Sequence, residues 1–233
     1  MAAKTNKGDP MSAAAEPEVA KPVRVRIDFV SDISCPWCVI GLKALEQALD
    51  RLDGEITAEI HFQPFELNPQ MPPEGQDSNE HLIAKYGSTP EQLERNREAI
   101  RVRGAELGFV FNRRDRVYNT FDAHRLLHWA ELEGRGRTLK HALFRAYFTD
   151  DDDVSAHATL VRLAAEVGLD AAHAQRLLSS DEYAADVRAQ QRFYAGQDIH
   201  AVPAVIINQR HLISGGQPVA TFERALRQIA GVQ

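Results

Sequence analysis

Apolar and polar residues alternate in the first patterned part of the chain. Residues 23–29 switch between aliphatic or aromatic and charged side chains, which is typical of a strand. Between 39 and 52 apolar residues recur every three or four positions, which predicts an amphipathic helix that Gly54 is well placed to end. Alternation returns over 56–63. We therefore predict a right-handed, parallel strand–helix–strand unit.

The middle of the chain has a different pattern. Residues 66–79 are rich in proline and other turn formers, and from about 80 to 198 the pattern is helical and indicates no strand. Thr89 and Gln92 form a capping box around Pro90, which starts one helix. We predict further helices over 119–133, 138–148, 155–167, 171–179 and 182–197.

The strand pattern returns near the end. Residues 204–207 and 211–213 predict a hairpin, and Pro218 opens a final helix. The whole layout predicts an α/β fold in which one four-stranded mixed sheet is interrupted by a large all-helical insertion. We assign 1–22 to a flexible N-terminal tail, 23–65 and 199–233 to the sheet domain, and 66–198 to the inserted helical domain.

Composition narrows the class of protein. The 233 residues are 44% apolar and 26% charged, which suits one globular domain with an insertion. The net charge of −6 argues against a nucleic-acid partner, since such proteins normally carry a basic patch. The N-terminus has no apolar signal region, and no run reaches the roughly 18 apolar residues of a membrane span. We expect a cytoplasmic protein with no membrane partner.

The chain has two cysteines, Cys35 and Cys38, and they lie between the first strand and the first helix. In a reducing compartment such a pair is catalytic, redox-sensing or metal-binding more often than structural. The start of a helix stabilises a thiolate, which is the nucleophile of disulfide exchange, and Pro36 suits the first helical position. We expect Cys35 to be the attacking, more exposed thiol and Cys38 to be the resolving thiol one turn inside the helix.

Two plainer explanations of the cysteines remain. They could be inert core thiols, or half of a zinc site completed by His124 and His128, which are four residues apart on a predicted helix. The distance in sequence from Cys38 to these histidines is far longer than in a zinc finger. We therefore favour a redox pair and expect no metal site.

Five segments together resemble the DsbA-like branch of the thioredoxin superfamily, and within it the cytoplasmic FrnE-type proteins. They are SDISCPWCVIG at 31–41, PFELNP at 64–69, NTFDAHRL at 119–126, AVPAVIIN at 201–208 and SGGQP at 214–218. The resemblance implies a thioredoxin-like fold with an inserted helical domain. It also implies a thiol–disulfide oxidoreductase that acts on thiols or disulfides of proteins or small molecules. We expect no tightly bound cofactor, glutathione as a co-substrate, and a monomer or homodimer.

The resemblance also identifies residues around the cysteines. Val202 and Pro203 match a cis-proline loop that would present the Val202 backbone to substrate, although an ordinary trans proline at the start of a strand is the default. Pro36 and Trp37 lie inside the motif, where Trp37 either stacks on substrate or packs on the fold. Asn119 and His124 would face the cleft, the plainer alternative being a helix cap and a packed histidine.

Charged residues near the motif have simpler interpretations. Asp28 and Asp32 are candidates for proton transfer to Cys38, but we favour solvated or capping carboxylates. Four arginines alternate with glutamates at helical spacings, which indicates a salt-bridged solvent face; they are Arg95, Arg97, Arg101 and Arg103.

A second enzyme class remains open. Kappa-class glutathione transferases and 2-hydroxychromene-2-carboxylate isomerases resemble this chain in organisation, but they have serine at the position of Cys35. Cysteine at both motif positions favours redox chemistry. A glutathione-dependent transferase or isomerase therefore stands as the alternative, and a zinc- or partner-binding module is less favoured.

Overall fold

The computed structural model describes residues 21–232. The predicted tail, 1–22, lies outside the described residues except for its last two, which are exposed. In chain order the elements are β1 (Val23–Ser31), α1 (Pro36–Arg51), β2 (Ile56–Pro64), β3 (Gln76–Asp77), α2 (Ser78–Tyr86), α3 (Pro90–Glu106), β4 (Arg116–Val117), α4 (Phe121–Leu132), α5 (Gly136–Phe148), α6 (His157–Glu166), α7 (Ala171–Leu178), α8 (Ala184–Ala195), β5 (Ala204–Ile207), β6 (His211–Ser214) and α9 (Val219–Ala230).

The predicted mixed sheet is confirmed. Its strand order is β2-β1-β5-β6, with β1 and β2 parallel and the other two pairs antiparallel. Phe29 of β1 stands between Phe62 of β2 and Val205 of β5 in the register. Because β1 is central, it is buried on both faces from Ile27 onward, and its early alternation of apolar and polar residues does not continue.

The insertion is mainly helical, as predicted, with one correction. Gln76–Asp77 and Arg116–Val117 pair as an antiparallel ribbon, whereas the sequence predicts turns over 66–79 and no strand from about 80 to 198. A strand of two residues is too short to show an alternating pattern of apolar and polar residues, so the sequence carries no strand signal at these positions. The Thr89 capping box is present with both of its hydrogen bonds, and Asp77 caps α2 by accepting from two backbone amides.

One large apolar core joins the sheet to the inserted helices. It contains Phe29 of β1, Leu42 of α1, Leu126 of α4, Phe144 of α5 and Leu163 of α6, all of them buried. Since α4 and α5 pack against this core, side chains of the insertion lie close to the start of α1. Among residues 21–232, no helix combines the length and apolar character needed to cross a bilayer.

Gly104 lets α3 pack closely on the segment that follows it. A Cβ atom at this position would lie 2.4 Å from the ring of Phe111, which is buried, and 3.0 Å from the carbonyl of Phe109. Glycine is therefore required here by close approach and not by an unusual φ.

We predict that Gly104→Ala lowers the free energy of unfolding by about 1–3 kcal/mol, because the added methyl overpacks the contact with Phe111. Chemical denaturation measures the change. Gly196→Ala is the matched control, since its Cβ would meet only backbone oxygens at 3.4 Å. An unchanged Gly104→Ala midpoint would contradict the packing argument.

Candidate active site

The cysteine pair lies where the first helix begins. Cys35 is the N-cap residue of α1 in an extended conformation, Pro36 occupies the first helical turn, and the amide of Cys38 donates to the carbonyl of Cys35 at 3.1 Å. Cys35 is 4% exposed and Cys38 is fully buried. Cys35 is the more exposed of the two, as predicted, but it is itself almost completely buried.

Burial makes the two thiols chemically unequal. Loss of solvation raises the pKa of Cys38 well above its ordinary value, and the hydrogen bond with Cys35 raises this pKa further. The positive charge of Lys140 acts in the opposite direction. Cys38 is therefore a protonated thiol at neutral pH unless a neighbouring group takes its proton.

The Val202–Pro203 peptide bond is cis, as the resemblance implied. Cys35 Sγ lies 3.7 Å from the carbonyl oxygen of Val202, which fits a weak hydrogen bond from the thiol. Gly41 permits this arrangement, since a Cβ there would lie 3.0 Å from Cγ of Pro203. The proline loop and α1 therefore meet directly at the nucleophile.

Trp37 is partly exposed and partly packed on the fold, so it combines features of both environments predicted for it. Its side chain is 38% exposed, yet part of its ring lies against Gly216, and the Arg103 guanidinium stands 5.5 Å from the ring centroid. Arg103 also donates to the carbonyl of Gly216 at 3.1 Å. Arg103 therefore does not lie on the predicted solvent face. It extends from α3 toward Trp37 in the cysteine motif.

Asp32 is fully buried, so of the two forms expected for it, solvated or capping, the solvated carboxylate is wrong. It accepts hydrogen bonds from the hydroxyl of Ser34 at 2.9 Å and from the amide of Leu67 at 2.7 Å, and His124 Nε2 lies 3.4 Å from it. Burial alone would raise the pKa of Asp32, but the contact with His124 and the Leu67 amide outweigh it and lower the pKa below its usual range. The carboxylate is therefore a buried anion.

Asp28 is also buried, at 2% exposure. The prediction of a solvated side chain failed because β1 is covered on both faces. Its carboxylate is bound by Arg26 at 2.7 Å and by Gln63 at 2.9 Å. These contacts assign Asp28 to an ion pair on the sheet.

The two predicted residues of the insertion take different positions. His124 is 2% exposed and joins Asp32 to the carbonyl of Phe65, which lies 2.9 Å from Nε2. Asn119 precedes α4, where its side-chain oxygen accepts from the amide of Phe121 at 2.8 Å. His124 thus reaches the motif loop through Asp32, whereas Asn119 lies one residue before the N-cap residue Thr120 and binds the first backbone amide of α4.

Two charged residues of the insertion, Lys140 and Glu131, were not among the predicted site residues. Lys140 of α5 is fully buried, and its ammonium lies 4.6 Å from the ring centroid of Phe144. Burial lowers the pKa of Lys140 to about 8 and raises that of Glu131 to about 7. The sequence did contain a signal for the burial of Lys140. Its spacing from Phe144 and Tyr147 places it on the apolar face of α5.

The zinc alternative finds no support in the geometry. Within residues 21–232, no three or more His, Cys, Asp and Glu side chains are grouped so that they could hold a metal ion. His128 instead packs against the ring of Tyr183, with centroids 5.1 Å apart.

Comparison with known proteins identifies the family. The model of the DSBA-like thioredoxin domain matches residues 26–227, and the chain belongs to this family. The uncharacterized protein YwbO of Bacillus subtilis (strain 168) is 30% identical over 204 residues, which are 87% of this chain and 96% of that protein.

Solved structures agree with this assignment. The probable DsbA oxidoreductase SCO1869 of Streptomyces coelicolor is 35% identical, with a TM-score of 0.84 over 90% of this chain and 91% of that chain. The cytosolic disulfide reductase DsbM of Pseudomonas aeruginosa, solved with GSH (glutathione), is 19% identical, with a TM-score of 0.61 over 89% and 100% of the two chains. The latter similarity is one of fold.

We predict that Asp32→Asn lowers the free energy of unfolding by about 1–3 kcal/mol near neutral pH, because an amide cannot replace all the acceptor contacts of the carboxylate. The folded-state pKa of Asp32 is lowered, so its stabilisation is present above the unfolded value of about 4 and is lost as pH falls through the folded value. The difference between wild type and variant should therefore shrink in acid.

Urea denaturation at neutral and acidic pH measures this difference. Asp53→Asn is the control, since Asp53 is exposed beyond the end of α1. A stability difference that stays constant between the two pH values would contradict a buried, ionised Asp32.

Proposed function

We propose that the protein is a thiol–disulfide oxidoreductase in which Cys35 is the nucleophile and Cys38 the resolving thiol. The observation that carries this proposal is the position of Cys35 Sγ at the start of α1, 3.7 Å from the Val202 carbonyl, with Cys38 one turn deeper. Membership of the DSBA-like thioredoxin family supports it. The substrates we propose are disulfides or thiols of proteins or of small molecules.

The reaction proceeds in two exchanges. The Cys35 thiolate attacks one sulfur of a substrate disulfide, forms a mixed disulfide with it, and displaces the other sulfur as a thiolate. Cys38 then loses its proton and attacks Cys35 Sγ. The Cys35–Cys38 disulfide forms, the second substrate sulfur leaves, and the substrate has gained the two electrons that the cysteine pair has lost. The same steps in reverse oxidise a dithiol substrate.

Surrounding residues are proposed to bind substrate. The backbone of Val202, next to Pro203, lies beside Cys35 and can pair with an extended peptide. Pro36 and the exposed part of Trp37 offer an apolar surface next to the nucleophile. For Asn119 and His124, the contacts described above support a role in positioning and not direct contact with substrate.

Glutathione is the small co-substrate we propose. A cavity of about 540 Å³ opens beside Pro36 and is lined by apolar side chains and by two pairs of charged residues, in which Glu94 lies near Arg97 and Glu98 binds Arg101. A bound peptide would have to compete with these glutamates for the arginines. Guanidinium groups suit the carboxylates of such a peptide. The disulfide reductase DsbM, solved with GSH, shares this fold. DsbM is a cytosolic protein, which agrees with the cytoplasmic compartment that we propose here.

We predict that Cys35→Ser abolishes thiol–disulfide exchange, because the nucleophilic sulfur is gone, whereas Cys38→Ser still attacks but accumulates mixed disulfides. Turnover assays and mass spectrometry of the trapped adducts measure both effects. Full exchange activity in Cys35→Ser would disprove the proposal. Glutathione-dependent activity on small electrophiles that survives in Cys38→Ser would instead favour the transferase or isomerase alternative.

Wild-type protein equilibrated in graded glutathione buffers should show one reversible two-electron transition between dithiol and disulfide. Alkylation followed by mass measurement gives the fraction of each form. The midpoint determines whether the pair acts as an oxidant or a reductant in its compartment. Absence of the intramolecular disulfide in every buffer would contradict the proposed function.

A further inference from the structure

An arginine in the last turn of α3 joins the insertion to the cysteine motif. Arg103 Nη2 donates to the carbonyl of Gly216 at 3.1 Å, and its guanidinium lies 5.5 Å from the centroid of the Trp37 ring. Arg103 is partly buried, and no carboxylate among the described residues forms an ion pair with it. The contacts that hold this guanidinium in place are therefore a backbone carbonyl and an aromatic ring.

The segment that binds Arg103 packs directly on Trp37. We call residues 214–218 the glycine loop. It is a tight turn in which the amide of Gln217 donates to the carbonyl of Gly215 at 2.9 Å. A Cβ atom at Gly216 would lie 3.0 Å from the carbonyl oxygen of Trp37 and 3.3 Å from Cε3 of its ring. Glycine at 216 therefore leaves the room that the tryptophan occupies.

A hydrogen bond continues from the glycine loop toward the nucleophile. The amide of Gly215 donates to the carbonyl of Pro203 at 2.8 Å. The carbonyl oxygen of the preceding residue, Val202, lies 3.7 Å from Cys35 Sγ. A continuous series of contacts thus leads from Arg103 through the glycine loop to the backbone beside the reacting sulfur.

The helix end that carries Arg103 is itself fixed. The next residue, Gly104, packs so closely on Phe111 that a Cβ atom would lie 2.4 Å from the ring. The carbonyl of Leu107 accepts a hydrogen bond from Nε2 of Gln47 on α1 at 3.4 Å. The arginine side chain therefore starts from a defined position relative to the helix of the cysteine motif.

We infer that Arg103 is a positioning residue for substrates in which the disulfide lies within an extended peptide segment. Arg103 holds the ring of Trp37 and, through the glycine loop, the backbone of Val202, which are two of the surfaces proposed above to bind substrate. The inference rests on the proposed function and adds to it a residue and a substrate class.

The chemistry of arginine suits this position. A guanidinium group can place its flat face over an indole ring while an N–H at its edge donates to a carbonyl. A binding surface that is already ordered costs less free energy to occupy, because fewer groups lose freedom when the peptide binds. A small disulfide needs only the sulfur of Cys35, so its reaction should not depend on this arrangement.

Two substitutions in the full chain test the inference. Arg103→Met keeps an apolar side chain but removes the charge and the hydrogen bond, whereas Arg103→Lys keeps a cation that can donate. The reduced protein is mixed in single turnovers with a short peptide cyclised by one disulfide, or with hydroxyethyl disulfide, which is small and neutral. Each turnover reduces one substrate disulfide to two thiols and oxidises Cys35 and Cys38 to their disulfide.

Alkylation and mass measurement give the rate, and its dependence on substrate concentration separates half-saturation from the limiting rate. In Arg103→Met the half-saturating peptide concentration should rise on the order of 10-fold, the usual effect of losing one hydrogen bond to a charged group. The limiting rate, and the rate with hydroxyethyl disulfide, should stay as in wild type. Arg103→Lys should fall between the two. Arg95→Met, at an exposed position of α3, is the matched control.

Fluorescence provides a second measurement that does not depend on turnover. The chain has two tryptophans; Trp37 is 38% exposed and Trp129 is 3% exposed, so acrylamide should quench mainly Trp37. Quenching should increase in Arg103→Met because the ring loses the guanidinium beside it, and it should be unchanged in Arg95→Met. Trp37→Phe should remove the quenchable component and so confirm its origin.

The contradicting results are distinct. Wild-type half-saturation with the peptide and wild-type quenching in Arg103→Met would overturn the role of Arg103 and leave the proposed function intact. An equal loss of rate with both disulfides would indicate a general disturbance of the site and would also overturn this role. If wild type reduces neither disulfide, the proposed function is disproved, and this inference with it.

Discussion

The buried carboxylate of Asp32 is the contact on which the site geometry depends. It binds Ser34 in the loop before Cys35, the backbone of Leu67 after β2, and His124 on α4. Three segments that are distant in sequence are thereby fixed around one charge. A buried anion is tolerated only when it is well paired and hydrogen-bonded, and here those contacts also determine where the nucleophile stands.

Close to that contact, the two sulfurs have different surroundings. Cys35 is at the end of a helix where amide groups favour a negative charge, and the proline loop brings the Val202 carbonyl to it. Cys38 is sealed in the core, where its thiolate is strongly disfavoured. This difference in solvation is the physical basis for assigning attack to the first cysteine and resolution to the second.

The helical insertion is more than a cover over the sheet. It supplies His124 to the carboxylate of Asp32, Arg103 to the ring of Trp37, and the positive charge of Lys140, which lowers the pKa of Cys38. Each of these side chains modifies a residue of the β1–α1 unit. The electrostatic setting of the cysteine pair therefore belongs to both parts of the chain together.

Local patterns were sufficient for much of this structure. The alternation over 23–29 and 56–63, the capping box at Thr89 and the short hairpin after Pro203 are encoded by neighbouring residues, so the sequence alone determined the sheet, most helices and the position of the cysteines. The two-residue ribbon was missed because it has no period to detect. Burial of Asp28, Asp32 and Lys140 was decided only by the tertiary structure. Whether a charged side chain is solvated depends on which distant segments pack over it, and that information is not present in the residues next to it in the chain.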